Sequence, residues 1–265
     1  MDTSFWIKFA LSFLVGGIWV TLSSIAAERF GSKVGGLIGG LPSTVVVTLL
    51  FIGLTQSAAR AAESAIIVPL VMGLNGIFVT VFILLSRRGL AHALAGALLT
   101  WFSLASLLIV VNIRTLWISL FGWLLLAVGC FLVVERGMKI VSQGRKAAHY
   151  TAGQIAGRAA LAGTVVAFAV LMSKVAGPLA GGIFATFPAV FLSNLIISYR
   201  SGGAAFAGAL AKSLMVSGMI TVPIYALLVW TFYPRVGLGF GTLIAFLVTA
   251  GAGVLTLQVM KSRLS

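Results

Sequence analysis

The stretch Gly35-Gly36-Leu37-Ile38-Gly39-Gly40-Leu41-Pro42-Ser43-Thr44-Val45-Val46-Val47-Thr48 is apolar enough to lie in a membrane, yet glycine pairs and a proline interrupt it midway. Proline has no amide proton and its ring clashes with the preceding turn, so carbonyls around Pro42 lose their helical partners. In hydrocarbon such groups persist only where protein or a water-filled cavity takes them over. The pattern returns as Gly181-Gly182-Ile183-Phe184-Ala185-Thr186-Phe187-Pro188-Ala189-Val190-Phe191-Leu192-Ser193-Asn194. Pro42 and Pro188 lie 146 positions apart, and Gly35-Gly36 falls on Gly181-Gly182 at that offset. Paired interrupted spans in the two halves of a chain are the best sequence pointer to a transporter-type binding site.

Composition supports the membrane reading. Of 265 residues, 60% are hydrophobic and 8% charged, against about 25% charged in soluble domains. Spans of about 20 apolar residues place nine helices, at about 5–26, 33–54, 63–86, 90–112, 115–135, 153–175, 178–199, 204–232 and 237–260. The expected fold is therefore an all-α polytopic membrane protein forming one domain over 1–265. Repeat one covers about 5–112, a connecting helix 115–135, a basic loop 136–152, and repeat two 153–260. Nothing resembling a cleavable leader precedes the first span, which reads as a retained helix.

The formal charge of +14 sits in short loops, so topology explains it better than nucleic acid does. Nine crossings put Arg29, Lys33, Arg87, Arg88, Arg136, Lys139, Arg145, Lys146, Arg158, Arg200, Lys261 and Arg263 on one side. Lys8, Arg60, Arg114, Lys174 and Arg235 fall on the other, and Lys212 lies within the eighth helix. The side with twelve is expected to be cytoplasmic, in a prokaryotic inner membrane, with the N-terminus outside and the C-terminus inside. Helices 2 and 7 are five crossings apart, so the two four-helix repeats would be inverted, with both breaks at midplane.

Broken helices expose half-helix ends that favour an anion or polar solute. The residues expected at such a site are Gly40, Pro42, Ser43, Thr44 and Thr48 from the first break, and Thr186, Pro188, Ser193 and Asn194 from the second. Asn75 and Thr221, deep in the third helix of each half, complete the wall. The competing reading is plain packing, since Gly35-xxx-Gly39, Gly36-xxx-Gly40 and Gly177-xxx-Gly181 also match small-residue helix contacts. Other intramembrane polar groups read as helix–helix hydrogen bonds, Pro69 and Pro223 as bends, and Trp6, Trp101, Trp117, Trp123 and Trp230 as interfacial or lipid-facing.

The four acids, Asp2, Glu28, Glu63 and Glu135, fall near predicted helix ends, so coupling through a midplane carboxylate is not expected. Two scattered histidines and the single Cys130 make no metal site. No acidic cluster or HExxH motif suggests an enzyme, and no cofactor is expected. The expected function is a secondary transporter or facilitator of a small polar or anionic solute. A channel or lipid-translocating protein is the first alternative, and a non-transporting assembly partner the second. The lipid bilayer is the expected partner, with anionic lipid at the basic loop; the oligomeric state is open.

The Gly-rich helix running into Leu41-Pro42-Ser43-Thr44 resembles that of the small GlpM-like inner-membrane proteins, which are about half this size. The second copy reads Phe187-Pro188-Ala189, so the role of Ser43 has no strict counterpart there. The resemblance implies duplication of one unit and names no substrate. More broadly, inverted repeats with crossed broken helices are similar in architecture to bile-acid–sodium symporters and anion transporters.

Overall fold

The computed structural model describes residues 2–28, 39–137 and 151–262. The first part of the expected second helix, with Gly35 and Gly36, lies outside the described residues, as do the loop residues 138–150. Among the described residues every regular element is a helix. These are α1 (Thr3–Glu28), α2 (Ser43–Thr55), α3 (Ala58–Ala65), α4 (Val68–Ser86), α5 (Leu90–Val111), α6 (Leu116–Leu132) with a π-helical turn (Val133–Gly137) at its end, α7 (Ala152–Val175), α8 (Pro178–Ala185) and α9 (Ala189–Ser262).

Six helical runs are long and apolar enough to cross a bilayer among the described residues. The last of them, Pro178–Thr256, contains interruptions. The chain leaves the helix at Thr186–Pro188, and Gly203 (φ 74°) and Gly237 (φ 77°) take conformations closed to most side chains. The run α9 is thereby divided into α9a (189–202), α9b (204–236) and α9c (238–262). The exterior is apolar: Trp6, Ile7, Leu11, Ile18 and Leu22 of α1 and Trp117, Phe121 and Leu125 of α6 are exposed. Thr48, Asn75, Asn194 and Thr221 are buried. Apolar surface outside with polar side chains inside reverses the soluble pattern and marks a helical membrane protein.

The expected helix at about 63–86 needs correction. It begins earlier, at α3, where Ser57 Oγ accepts from the Arg60 amide as an N-cap. It is interrupted at Ile66–Ile67 before α4 starts. Pro69 does not bend that helix; it sits in the first turn of α4, where no amide proton is needed. The Leu70 amide freed at this start is taken by Ser119 Oγ of α6, 3.1 Å away. Small residues then let α6 lie close to α4: a methyl group added at Gly73 would meet Leu126 of α6 and one at Gly122 would meet Leu70 of α4, while at Gly76 it would meet Met219 of α9b as well as Cys130 of α6.

The halves pack through α1 against α7. A methyl on Gly17 would come within 2.7 Å of the Ala159 carbonyl oxygen, and one on Gly163 within 2.5 Å of the Phe13 carbonyl oxygen. Gly17 and Gly163 are 146 positions apart, and so are Phe13 and Ala159. Residue i touches j′ while i′ touches j, the reciprocal contact that a two-fold relation generates.

Candidate functional site at the two helix breaks

At both prolines the chain leaves the helix by the same backbone device. The Ser43 amide donates to the Leu41 carbonyl at 2.7 Å, and the Ala189 amide to the Phe187 carbonyl at 2.8 Å. Each closes a three-residue turn around a proline, with Pro42 at φ −75°, ψ 42°. The next helix starts at once: Val46 donates to the Pro42 carbonyl and Leu192 to the Pro188 carbonyl, both at 2.8 Å. Among the described residues Pro188 thus separates α8 from α9a and Pro42 stands at the start of α2, so neither lies inside a continuous helix.

A terminated helix leaves carbonyls unpaired, and burying one without a donor is costly. Each break receives its donor from the opposite half. Thr221 Oγ1, on α9b, donates to the Gly40 carbonyl at 2.7 Å. Asn75 Nδ2, on α4, donates to the Thr186 carbonyl at 2.9 Å. Gly40 and Thr186 are 146 positions apart, as are Asn75 and Thr221. This is a second reciprocal pair, independent of the α1–α7 contact and sharing its offset.

The two donors are anchored differently. Thr221 Oγ1 also lies 2.9 Å from the Ser217 carbonyl of its own helix. Asn75 is held from behind, its Oδ1 accepting from Trp101 Nε1 at 2.8 Å. Trp101 is wholly buried, and its ring meets Phe187 edge-on at 5.0 Å between centroids. The lipid-facing role expected for Trp101 is therefore wrong. Lying midway along α5, its indole N–H has no headgroup to reach and finds a buried amide oxygen instead. Trp6, Trp117 and Trp230 do face outward.

Between the breaks lies a cavity of about 40 Å³. Of the expected site residues, Gly40, Pro42, Ser43, Thr44, Asn75, Thr186 and Pro188 line it. Thr221 stands beside it as the donor to Gly40, while its neighbour Val222 is on the wall. Thr48, Ser193 and Asn194 lie further along α2 and α9a, off the wall. Ser193 Oγ bonds to the Val190 carbonyl of its own helix at 3.1 Å. Thr48 Oγ1 and Asn194 Oδ1 are buried and have no hydrogen-bond partner among the described residues. Met72, Phe187 and Phe191 are wall residues that sequence reasoning missed. Phe187 and Phe191 flank Pro188 in the quoted stretch, so adjacency to the break was the available signal.

Since a water needs about 10–15 Å³ of such space, the cavity holds a few waters or one small ion. Its polar groups are the hydroxyls of Ser43, Thr44 and Thr186, the Asn75 amide and break carbonyls, with no charged side chain on the wall. Among the described residues no group of histidine, cysteine or acidic side chains is placed to hold a metal ion.

No curated protein and no solved structure matches this chain. One family model matches twice, over residues 9–116 and again over 156–262, so each half of the chain is a copy of the family unit. The chain belongs to the family described as "Protein of unknown function (DUF3147)".

Proposed function

We propose that this duplicated member of the family is a secondary transporter or facilitator of a small polar or anionic solute, which binds between the two breaks. The observation that carries the reading is the exchange of donors across the halves, Thr221 to Gly40 and Asn75 to Thr186, at the edge of one cavity. A packing motif needs close backbones, but it does not need two helices cut at equivalent points and each tied to the opposite repeat. Equivalent discontinuous helices at the interface of two repeats are the arrangement by which alternating-access transporters form a site between halves that rock against each other.

On this reading the chain crosses the membrane nine times. The crossings are α1, the broken helix ending in α2, α3–α4, α5, α6, α7, α8–α9a, α9b and α9c. The halves are then inverted about an axis in the membrane plane, with the N-terminus outside and the C-terminus in the cytoplasm of a prokaryote. The GlpM-like resemblance fits one such unit standing alone. The small cavity corresponds to a closed state, and an organic solute enters only when the halves part. Parting must strain the Asn75 and Thr221 bonds, so differential solute affinity for the open state would drive it.

The test is a thermal-shift screen of the purified full chain over inorganic and organic anions, amino acids, sugars and nucleosides. A solute that stabilises the wild type and loses that effect in Ser43→Ala with Thr44→Val places the site at the cavity. A solute that works equally in both moves the site elsewhere. Flux of the hit into proteoliposomes that fails to saturate would convert the reading to a channel.

A further inference from the structure

We propose that the vestibule enclosed by the α3–α4, α5–α6 and α7–α8 connections is an outer oxyanion site, in which Arg114 and Arg60 hold a carboxylate or phosphate group. The vestibule has a volume of about 750 Å³, within the range of small-molecule sites and far larger than the cavity at the breaks. Its polar groups are Arg60, Glu63, Asn112 and Arg114, set among the apolar side chains of Ile66, Ile67, Ile109, Ile113 and Leu179.

The two guanidinium groups outnumber the single carboxylate. Arg114 has no ion pair among the described residues. Its Nε donates to Asn112 Oδ1 at 3.1 Å, and Asn112 is itself fixed in the left-handed conformation (φ 54°) that ends α5. This contact uses the inner edge of the guanidinium and leaves both terminal nitrogens for a bidentate oxyanion. Arg60 Nη1 meets Glu63 Oε2 at 3.1 Å, but both side chains are about half exposed (54% and 51%). A pair of that kind is weak enough to be exchanged for an incoming anion. Apolar walls around a net positive charge focus its field and raise the local anion concentration.

Two walls join the vestibule to the inner cavity. Ile67, the cap just before α4, lines the vestibule and Asn75 within α4 lines the cavity, about 12 Å further along at 1.5 Å per residue. On α8, Leu179 lines the vestibule and Ala185 and Thr186 line the cavity. Duplication does not account for the vestibule charges, because Phe206, Ala209 and Met260 occupy the positions equivalent to Arg60, Glu63 and Arg114. The vestibule's role as a way in rests on the transporter reading; its preference for oxyanions does not.

The experiment therefore reads charge and not transport. In a Cys130→Ala background of the full chain, Leu179→Cys supplies a reporter thiol, with Ala176→Cys at the rim should the first variant not fold. Each is treated with the anionic sulfonatoethyl and the cationic trimethylammonioethyl methanethiosulfonate, and the rate ratio is divided by that of a free thiol. The expected ratio favours the anionic reagent on the order of tenfold. It should fall to about the free-thiol value in Arg114→Gln with Arg60→Gln. Inorganic phosphate slowing the reaction in lipid-free detergent identifies a free-anion site. Slowing that needs phosphatidylglycerol and is not produced by phosphate identifies a lipid headgroup at the same oxyanion site. A ratio like that of a free thiol, or one untouched by the double variant, overturns the proposal. Either result can coexist with a solute effect at Ser43 and Thr44, so the two readings fail separately.

Discussion

The break at Pro42 and the break at Pro188 share a backbone and differ in what holds them. Both use the same turn around proline and the same restart of the helix. Both receive a donor from the opposite half. Behind Asn75, however, stands Trp101, which takes the amide oxygen and leans on Phe187. The residue equivalent to Trp101 in the second half is Leu247, and it is 60% exposed. Thr221 has instead a second acceptor, the Ser217 carbonyl of its own helix, which competes with Gly40 for the single hydroxyl proton. Duplication thus preserved the backbone geometry that two inserted breaks require and left the supporting side chains free to diverge. The stiffer clamp is the one on the Thr186 side, so the Gly40 side is where the structure should yield first.

The comparison can be broken most severely at the α1–α7 crossing, the part that is expected to be equivalent. Gly17→Val and Gly163→Val each push a side chain into a backbone carbonyl of the facing helix. Each should cost about 3 kcal/mol, the upper end for overpacking, in unfolding titrations in mixed micelles. Two values differing by more than about 1 kcal/mol, beyond ordinary context scatter, would end the claim of two-fold equivalence there.

The clamps should then separate. Asn75→Leu removes the donor to Thr186 and the acceptor for Trp101, orphaning two buried groups. We expect a loss of about 2–3 kcal/mol. Thr221→Val orphans only the Gly40 carbonyl and should cost about 1 kcal/mol, near the measured scale for membrane hydrogen bonds. Equal losses measured in the same titration would remove the asymmetry from the argument.

The smallest effects concern the support itself. Trp101→Phe keeps a ring near Phe187 but drops the bond to Asn75, at a cost of about 1 kcal/mol. Its counterpart Leu247→Ala, on the exposed face, should stay within about 0.5 kcal/mol. A larger loss at Leu247 would point to a contact made outside this chain.

Much of the site was legible because hydrocarbon tolerates few exceptions. Pro42 and Pro188 stood out as breaks, and Asn75 and Thr221 as deep polar groups needing a partner. Trp101 was misread because a tryptophan in an apolar run usually marks an interface. Its place near the middle of the 22-residue α5 was the contrary signal. The interruption at Ile66–Ile67 has a local signal as well, since Ser57 and Pro69, a cap and a first-turn proline, mark two separate helix starts. Thr48 and Asn194 follow their breaks in sequence and are polar, but they lie off the cavity wall, because position along a helix does not say which way a side chain faces.

Sequence by itself determined the membrane class, the duplication at an offset of 146 and the positions of both breaks. Each of these follows from local rules, since apolar length, missing amides and repeated spacing are written along one strand of residues. Tertiary structure alone decided which carbonyl each polar side chain would satisfy. The Thr221–Gly40 and Asn75–Thr186 bonds join residues 181 and 111 positions apart. A buried carbonyl demands some donor, and only the packing of one half on the other selects which.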